Sequence, residues 1–277
     1  MESQLNKNQI ASIVYHNIFA YPLNSNDLNK WATTSVHANK ILKRKKYKIS
    51  KYKNYYFLAN QKHLVAARLN NEKESIKKIE IAKRGVDIIS QISSVLFVGI
   101  TGSVAMQNAN NDSDIDLMII TKKGTLWTTR FLVYLKLRNS KLKIRKPNLL
   151  DEKDKLCINL WLDETSLEIQ NKNIYTAHEI AQIIPLFQKD KIYEKLLIKN
   201  TWILDFWPNS VKIGSIASKA TPKKPNLVYQ ILELIAFQAQ KVYMSGKHTR
   251  EIIKPNMAFF HPKDWSKKVK NKLKFHL

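Results

Sequence analysis

Acidic residues are scarce in this chain. Its 277 residues hold 22 Asp and Glu against 47 Lys and Arg, a formal net charge of +25. Cysteine is nearly missing: Cys157 stands alone, which excludes an internal disulfide and a cysteine zinc cage and suits a reducing compartment. No apolar run approaches the ~20 residues needed to cross a bilayer. The opening MESQLNKNQI lacks the basic-then-apolar order of a secretory signal. No internal repeat or low-complexity tract interrupts the chain. A hydrophobic content of 44% excludes a wholly disordered polymer. The expectation is a soluble, cytoplasmic, strongly basic protein without a membrane partner.

That charge attracts polyanions, nucleic acid before acidic lipid. A composition rich in Lys, Asn and Ile gives the same excess without any function behind it. The charge by itself decides nothing.

The chain divides by pattern. In residues 8–20, Ile10, Ile13, Val14 and Ile18 share a helical face, and Pro22 ends it. Ser25 reads as the N-cap of a short helix carrying Leu28 and Trp31. A third helix is expected over Val36–Arg44, then two short strands within Tyr47–Leu58 around Lys53-Asn54. Three short helices and a hairpin make a winged-helix-like unit over residues 1–62. Residues 63–94 read as a connecting segment, one long charged amphipathic helix or a helix pair, with Leu64, Ala67, Ile76, Ile79 and Ile88 on one side and Arg68, Lys73, Lys77 and Lys83 on the other. Val95–Ile100, Ile115–Thr121 and Leu156–Leu162 are apolar runs suited to buried strands, with a helix over Leu126–Leu137 between the last two. Thr176-Ala177-His178-Glu179 has the spacing of a capping box, opening a helix with Ile180, Ile183 and Ile184 that ends near Pro185. A last amphipathic helix spans Leu227–Met244, before Gly246 and a basic tail with Pro255, Pro262 and Trp265. Residues 95–185 thus form a core and 186–277 a C-terminal helical region.

Chemistry concentrates between Val98 and Thr121. An apolar strand runs into Gly102-Ser103, residues 104–113 follow, and Asp114-Ile115-Asp116 leads into a second apolar strand. Side chains alternate along a strand, so Asp114 and Asp116 share a face while Ile115 and Leu117 point into the core. Two such carboxylates repel unless a cation lies between them, and oxygen-only ligands suit Mg²⁺, held by one or two carboxylates plus substrate phosphates. Glycine permits a close backbone approach. Backbone amides after Gly102 and the Ser103 hydroxyl would offer donors to phosphate oxygens. A phosphate cradle beside a divalent-cation site is what phosphoryl or nucleotidyl transfer requires. The competing interpretation makes Gly102-Ser103 a mere helix start and the aspartates solvated strand-edge residues.

This segment resembles the nucleotidyltransferase superfamily of DNA polymerase β, whose signature is Gly-Ser or Gly-Gly, a spacer, then Asp-apolar-Asp-apolar. Gly102, Ser103, Asp114 and Asp116 match it position by position. The longer TGSVAMQNANNDSDIDLMIIT, the downstream Gly124–Arg130 and Asn173–Pro185 are similar to bacterial and archaeal nucleotidyltransferase-domain proteins, which carry an N-terminal winged helix. The resemblance implies an α+β fold: a small mixed sheet, a winged helix before it and helices after it. It implies transfer of a nucleoside monophosphate from an Mg²⁺-NTP (Mn²⁺ as substitute, ATP first among the NTPs) to an acceptor hydroxyl on nucleic acid or protein. Asp114 and Asp116 would be catalytic and metal-binding, Gly102 and Ser103 nucleotide-binding. One departure matters: a third carboxylate is expected on the Leu156–Leu162 strand, where Asn159 aligns, and Asn159 cannot accept a proton. Asp151, Asp154 and Asp163 flank that strand. The alternative implied is a non-catalytic nucleotide- or nucleic-acid-binding regulator that keeps the fold.

Other residues have quieter expectations. Lys122 and Lys123 end the Asp-bearing strand, which suits either a phosphate contact or a solvated strand end. Arg130 suits a base or phosphate contact, or a structural ion pair. Lys40, Lys43, Arg44, Lys45, Lys46, Lys48, Lys51 and Lys53 suit a nucleic-acid backbone, although winged helices also dock proteins. Cys157 is expected buried in its strand. His16, His37, His63, His178, His248, His261 and His276 show no paired metal-ligand spacing. Trp202, Trp207, Tyr229, Tyr243 and Trp265 are expected in the core.

Overall fold

In a computed structural model, residues 5–43, 45–146, 152–214, 226–244, 251–260 and 265–275 are described. Arg44, Asp151, Gly246, His248, His261, Pro262 and His276, all singled out above, lie outside them. The first elements are helix α1 (Lys7–Asn17), strand β1 (Leu23–Asn24), helices α2 (Ser25–Lys30) and α3 (Ser35–Leu42), and strands β2 (Ile49–Tyr52) and β3 (Tyr55–Leu58). The strands form an antiparallel sheet of order β1-β3-β2. Asn24, rather than Ser25, caps α2 by accepting from the backbone N–H of Asp27.

Helix α4 (His63–Ile89) is one continuous rod. It leads to β4 (Val95–Ile100), the single-turn α5 (Gly102–Ala105), β5 (Ile115–Thr121), α6 (Leu126–Arg138) and β6 (Leu156–Asp163). Then come α7 (Ile174–Ala181), β7 (Ile184–Gln188), α8 (Ile192–Lys199), α9 (Leu227–Met244), β8 (Ile252–Lys254), β9 (Met257–Phe259) and α10 (Trp265–Phe275). The second sheet has order β7-β4-β5-β6-β9-β8. Among the described strands of this sheet β5 and β6 pair in parallel and the other neighbours are antiparallel. The expected mixed sheet with helices on its faces is present.

The central strands are apolar on both faces because both are covered. On one side Val98, Ile100, Leu117 and Ile119 pack with Val86, Ile89 and Trp127; on the other Phe97, Met118 and Ile120 join Leu196, Ile180 and Trp207. The second cluster continues into the N-terminal unit through Tyr15, Leu28 and Trp31. Inside it His16 and His178, both fully buried, meet Nε2 to Nε2 at 3.2 Å.

Four local expectations need correction. Helix α7 begins at Ile174, capped by Asn173, so Thr176–Glu179 lies within the helix and is no capping box. Ile184 and Pro185 do not end that helix but open β7, held by β4. Arg68 does not face solvent: it is 2% exposed, stacks on Tyr21 and pairs with Glu72 and Asp27, while Ile76 is exposed. Among the C-terminal aromatics Trp207 is buried, but Tyr229 and Tyr243 are exposed.

Candidate functional site

Strand period 2 sets the site's floor. Asp114 precedes β5 and Asp116 sits within it, with Ile115 and Leu117 fully buried on the opposite face. The next strand is in register, with Cys157 opposite Asp116. The carboxylates of Asp114 and Asp116 and the Cys157 sulfur lie within 4.8 Å of one another. Of the described residues, this is the group of His, Cys, Asp and Glu side chains close enough to hold a metal ion together.

Gly102 closes the site from the neighbouring strand end. The Thr101 amide donates to the Asp116 carbonyl at 3.0 Å, which brings the turn after β4 against β5. Gly102 then adopts φ +62°, and a Cβ there would collide with the Asp116 carboxylate. Only glycine fits both the left-handed backbone and the close approach. Ser103 follows in the single turn of α5. The two aspartates and the Gly-Ser turn therefore converge.

The loop carrying Asp114 is held by α4. Asn71, Ser75 and Lys78 occupy one helical face at spacings of four and three. Asn71 donates to Asn108, Ser75 accepts from the Ala109 amide, and Lys78 donates to the carbonyls of Asn111 and Ser113. Lys78, 1% exposed, also pairs with Asp154 at 2.6 Å. Asp154 is thereby occupied structurally, as is buried Asp163, which accepts from Gly124 and Thr165. Neither flanking acid takes the place of Asn159.

Asn159 itself reaches the site through an irregularity. Leu117 pairs with Ile158 but Met118 with Leu160, so Asn159 is the extra residue of a bulge in β6. Bulges re-aim side chains, and Asn159 donates from Nδ2 to Asp116 Oδ1. Its Oδ1 is buried and has no hydrogen-bond partner. Two carboxylates plus an unused amide oxygen fit a hard divalent cation. The Cys157 thiol does not add a thiolate, because burial first and then the charges of Asp116 and Asp114 push it up.

Several charged groups meet here that sequence spacing does not reveal. Arg145 donates to Asp114 Oδ2 at 2.7 Å, approaches the Cys157 sulfur and pairs with Glu152. It sits in a uniformly basic stretch, Lys141–Lys146, where no pattern distinguishes it. Glu179, on α7, shares one helical face with Tyr175 and Gln182, and Gln182 links it to the Gly102 carbonyl. Burial, then the charge of Asp116, push the Glu179 carboxyl up to about 8. Asp116 is likewise pushed up to about 7, by burial and by Asp114, against the opposing pull of Cys157, Arg145 and Asn159. Arg130 lies elsewhere, bonded to Gln240 and stacked on Tyr134 and Phe260.

Residues 83–192 match the family described as Polymerase beta, Nucleotidyltransferase. The matched span runs from the end of α4 to the start of α8 and contains every group of the candidate site. No curated protein matches the chain.

Proposed function

We propose that this member of the DNA polymerase β-like nucleotidyltransferase superfamily transfers a nucleoside monophosphate from an Mg²⁺-NTP to an acceptor hydroxyl, with Asp114, Asp116, Gly102 and Ser103 as the site. The observation that carries the proposal is the convergence of two strand-borne carboxylates on a Gly-Ser turn that no larger residue could form. Asp114 and Asp116 would hold the cation, with Asn159, whose amide nitrogen bonds Asp116, beside them. The bound cation neutralises charge on the triphosphate and on the departing pyrophosphate. Gly102 lets the backbone approach the phosphates, and Ser103 offers donors to their oxygens.

The winged helix and the C-terminal helices read as the acceptor-selecting parts, with residues 1–62 a winged-helix-like unit, 63–94 the connecting helical segment, 95–185 the nucleotidyltransferase core and 186–277 the C-terminal helical region. The order α1-β1-α2-α3-β2-β3 and the antiparallel sheet support the first of these. Lys40, Lys43, Lys45, Lys46, Lys48, Lys51 and Lys53 are all exposed there, which favours a nucleic-acid acceptor. ATP is the first nucleotide to try, in a cytoplasmic setting.

Titrating ATP with Mg²⁺ against the wild type and an Asp114→Asn/Asp116→Asn variant tests the site. Equal affinity in both sinks it. A second reading, a regulator that binds nucleotide without turnover, is favoured by the Arg145 guanidinium on Asp114. Label transferred from α-labelled ATP to tRNA, protein or the chain itself, dependent on Asp116, excludes that reading.

A further inference from the structure

The position expected to carry a third carboxylate holds Asn159, which is already engaged as a donor to Asp116 and cannot take a proton. A carboxylate on α7, Glu179, is tied to the Gly-Ser turn beside the aspartates. Tyr175, Glu179 and Gln182 fall at spacings of four and three along α7 and its C-cap, and so share one face. Gln182 ties that face to the Gly-Ser turn: its Nε2 donates to Gly102 O at 3.4 Å and to Glu179 Oε1 at 2.8 Å. Gly102 in turn lies so near the Asp116 carboxylate that a Cβ on it would collide there. Glu179, Gln182, Gly102 and Asp116 are therefore successive neighbours.

Two further observations point to a missing ligand there. Gln182 is 4% exposed and its Oε1 has no partner; Asn159, also 4% exposed, has an unpartnered Oδ1. Two buried amide oxygens without a partner, on side chains whose amide nitrogens bond Asp116 and the Gly102 carbonyl, are unusual, since buried polar atoms are normally satisfied. Glu179 is not one of the residues whose ligand atoms cluster within 4.8 Å of Asp114, Asp116 and Cys157. It stands outside the cation-holding group yet close enough for Asp116 to act on its charge.

We propose that Glu179 is the proton acceptor of the transfer reaction, receiving the acceptor hydroxyl's proton from the α7 side of the site while Asp114 and Asp116 serve the cation. This rests on the reading of the site as a nucleotidyltransferase centre. In the step, the acceptor's O–H proton passes to a Glu179 carboxylate oxygen. The acceptor oxygen forms its bond to the α-phosphorus as the bond from that phosphorus to the bridging oxygen breaks, and the electron pair leaves with pyrophosphate. Burial first, and then the negative charge of Asp116 on β5, make Glu179 a stronger base than an exposed carboxylate, against the opposing pull of the Gln182 hydrogen bond; Tyr175 on its own helix and Tyr15 on α1 stand near it as neutral phenols, pushed up mainly by burial. Gln182 holds the carboxylate in place.

Glu179→Gln keeps shape and hydrogen bonding and removes only the basic oxygen. The test measures two quantities on the full chain: affinity for ATP with Mg²⁺, and pyrophosphate released with bulk tRNA, the chain itself or water as acceptor. The expected result is ATP affinity within about threefold of wild type and release slowed about 10²–10⁴-fold, the usual contribution of a positioned base, with Glu179→Asp partly restored. Release by Glu179→Gln within about threefold of wild type overturns the inference and leaves the site reading standing. So does a rate loss matched by an equal loss of ATP affinity. A wild type that binds ATP through Asp114 and Asp116 but releases nothing with any acceptor overturns the role of Glu179 while sparing the nucleotide site. ATP binding indifferent to both aspartates removes the site and this role together.

Discussion

The side-chain amide of Asn159 donates to Asp116 and leaves its own oxygen without a partner. An amide here steadies Asp116 in its ionised form, against burial and the neighbouring Asp114 that oppose it. Replacing it with the carboxylate usual for such sites should therefore harm the cation-free protein. Asn159→Asp removes the donor and adds a third negative charge, so its stability in EDTA should fall by about 1–3 kcal/mol, the cost of disrupting a buried polar pairing. Added Mn²⁺ should raise its melting temperature more than the wild type's. Equal melting temperatures in EDTA would show that the amide is not needed for Asp116.

Gly102→Ala probes the close approach directly. A non-glycine residue in the left-handed region costs about 1–2 kcal/mol, and the new methyl must also push the Asp116 carboxylate aside. The variant is expected to unfold at lower urea and to lose ATP affinity while keeping its circular dichroism spectrum. Native affinity in Gly102→Ala would mean that the turn and Asp116 do not act as one unit.

Lys78→Met tests how Asp114 is positioned. The ammonium is buried and serves two carbonyls of the preceding loop besides Asp154. Methionine fills the space and satisfies none of them, so a loss of about 1–3 kcal/mol is expected, the penalty for stranded buried acceptors. Because the same loop carries Asp114, cation affinity should weaken as well, although Lys78 touches neither aspartate. Hydrogen exchange at residues 109–113 would detect the released loop; unchanged protection there contradicts this account.

What could be read from the chain, and what could not, follows from the range of the interactions involved. Gly102, Ser103, Asp114 and Asp116 announce themselves through strand periodicity and short spacing, which are local. Their convergence was implied by the same pattern. Glu179 did not announce itself: lying three residues after Thr176, it imitates a capping box, whereas the actual cap, Asn173, stands at the helix start. Pro185 imitates a helix terminator, but it lies in an edge strand, where the missing amide is tolerated, and only the pairing with β4 makes it a strand. Arg68 looks like part of a solvated helix face until Asp27 of α2 and Tyr21 pack over it. The bulge that turns Asn159 toward Asp116 is invisible in a continuous apolar run. Apart from the cap at Asn173, which is local, each failure concerns a partner distant in sequence.

The buried histidine pair should give this protein an acid-labile core. His16 Nδ1 lies 2.8 Å from the Ser12 carbonyl, so that nitrogen carries the proton and His16 Nε2 accepts from His178 Nε2. His178 Nδ1 is then a bare acceptor, buried and without a partner. Adding a proton there creates a charge among Tyr15, Trp31 and Trp207 with nothing to receive it. Burial first, then the Arg68 charge, lower His16 to about 3, while burial, His16 and Lys30 lower His178 well below its ordinary range. The unfolded chain binds both protons as pH drops through about 6.5 and the folded chain does not, so stability is intact above that value and lost below it. The slope should approach about 1.4 kcal/mol per pH unit for each histidine as pH falls toward 4. Urea unfolding of the wild type and a His16→Phe/His178→Phe variant at pH 7.5, 6 and 5 isolates this contribution from that of the carboxylates. The difference in stability between the two proteins should shift steadily against the wild type with acidification; parallel profiles would mean that the pair does not resist protonation in the folded state.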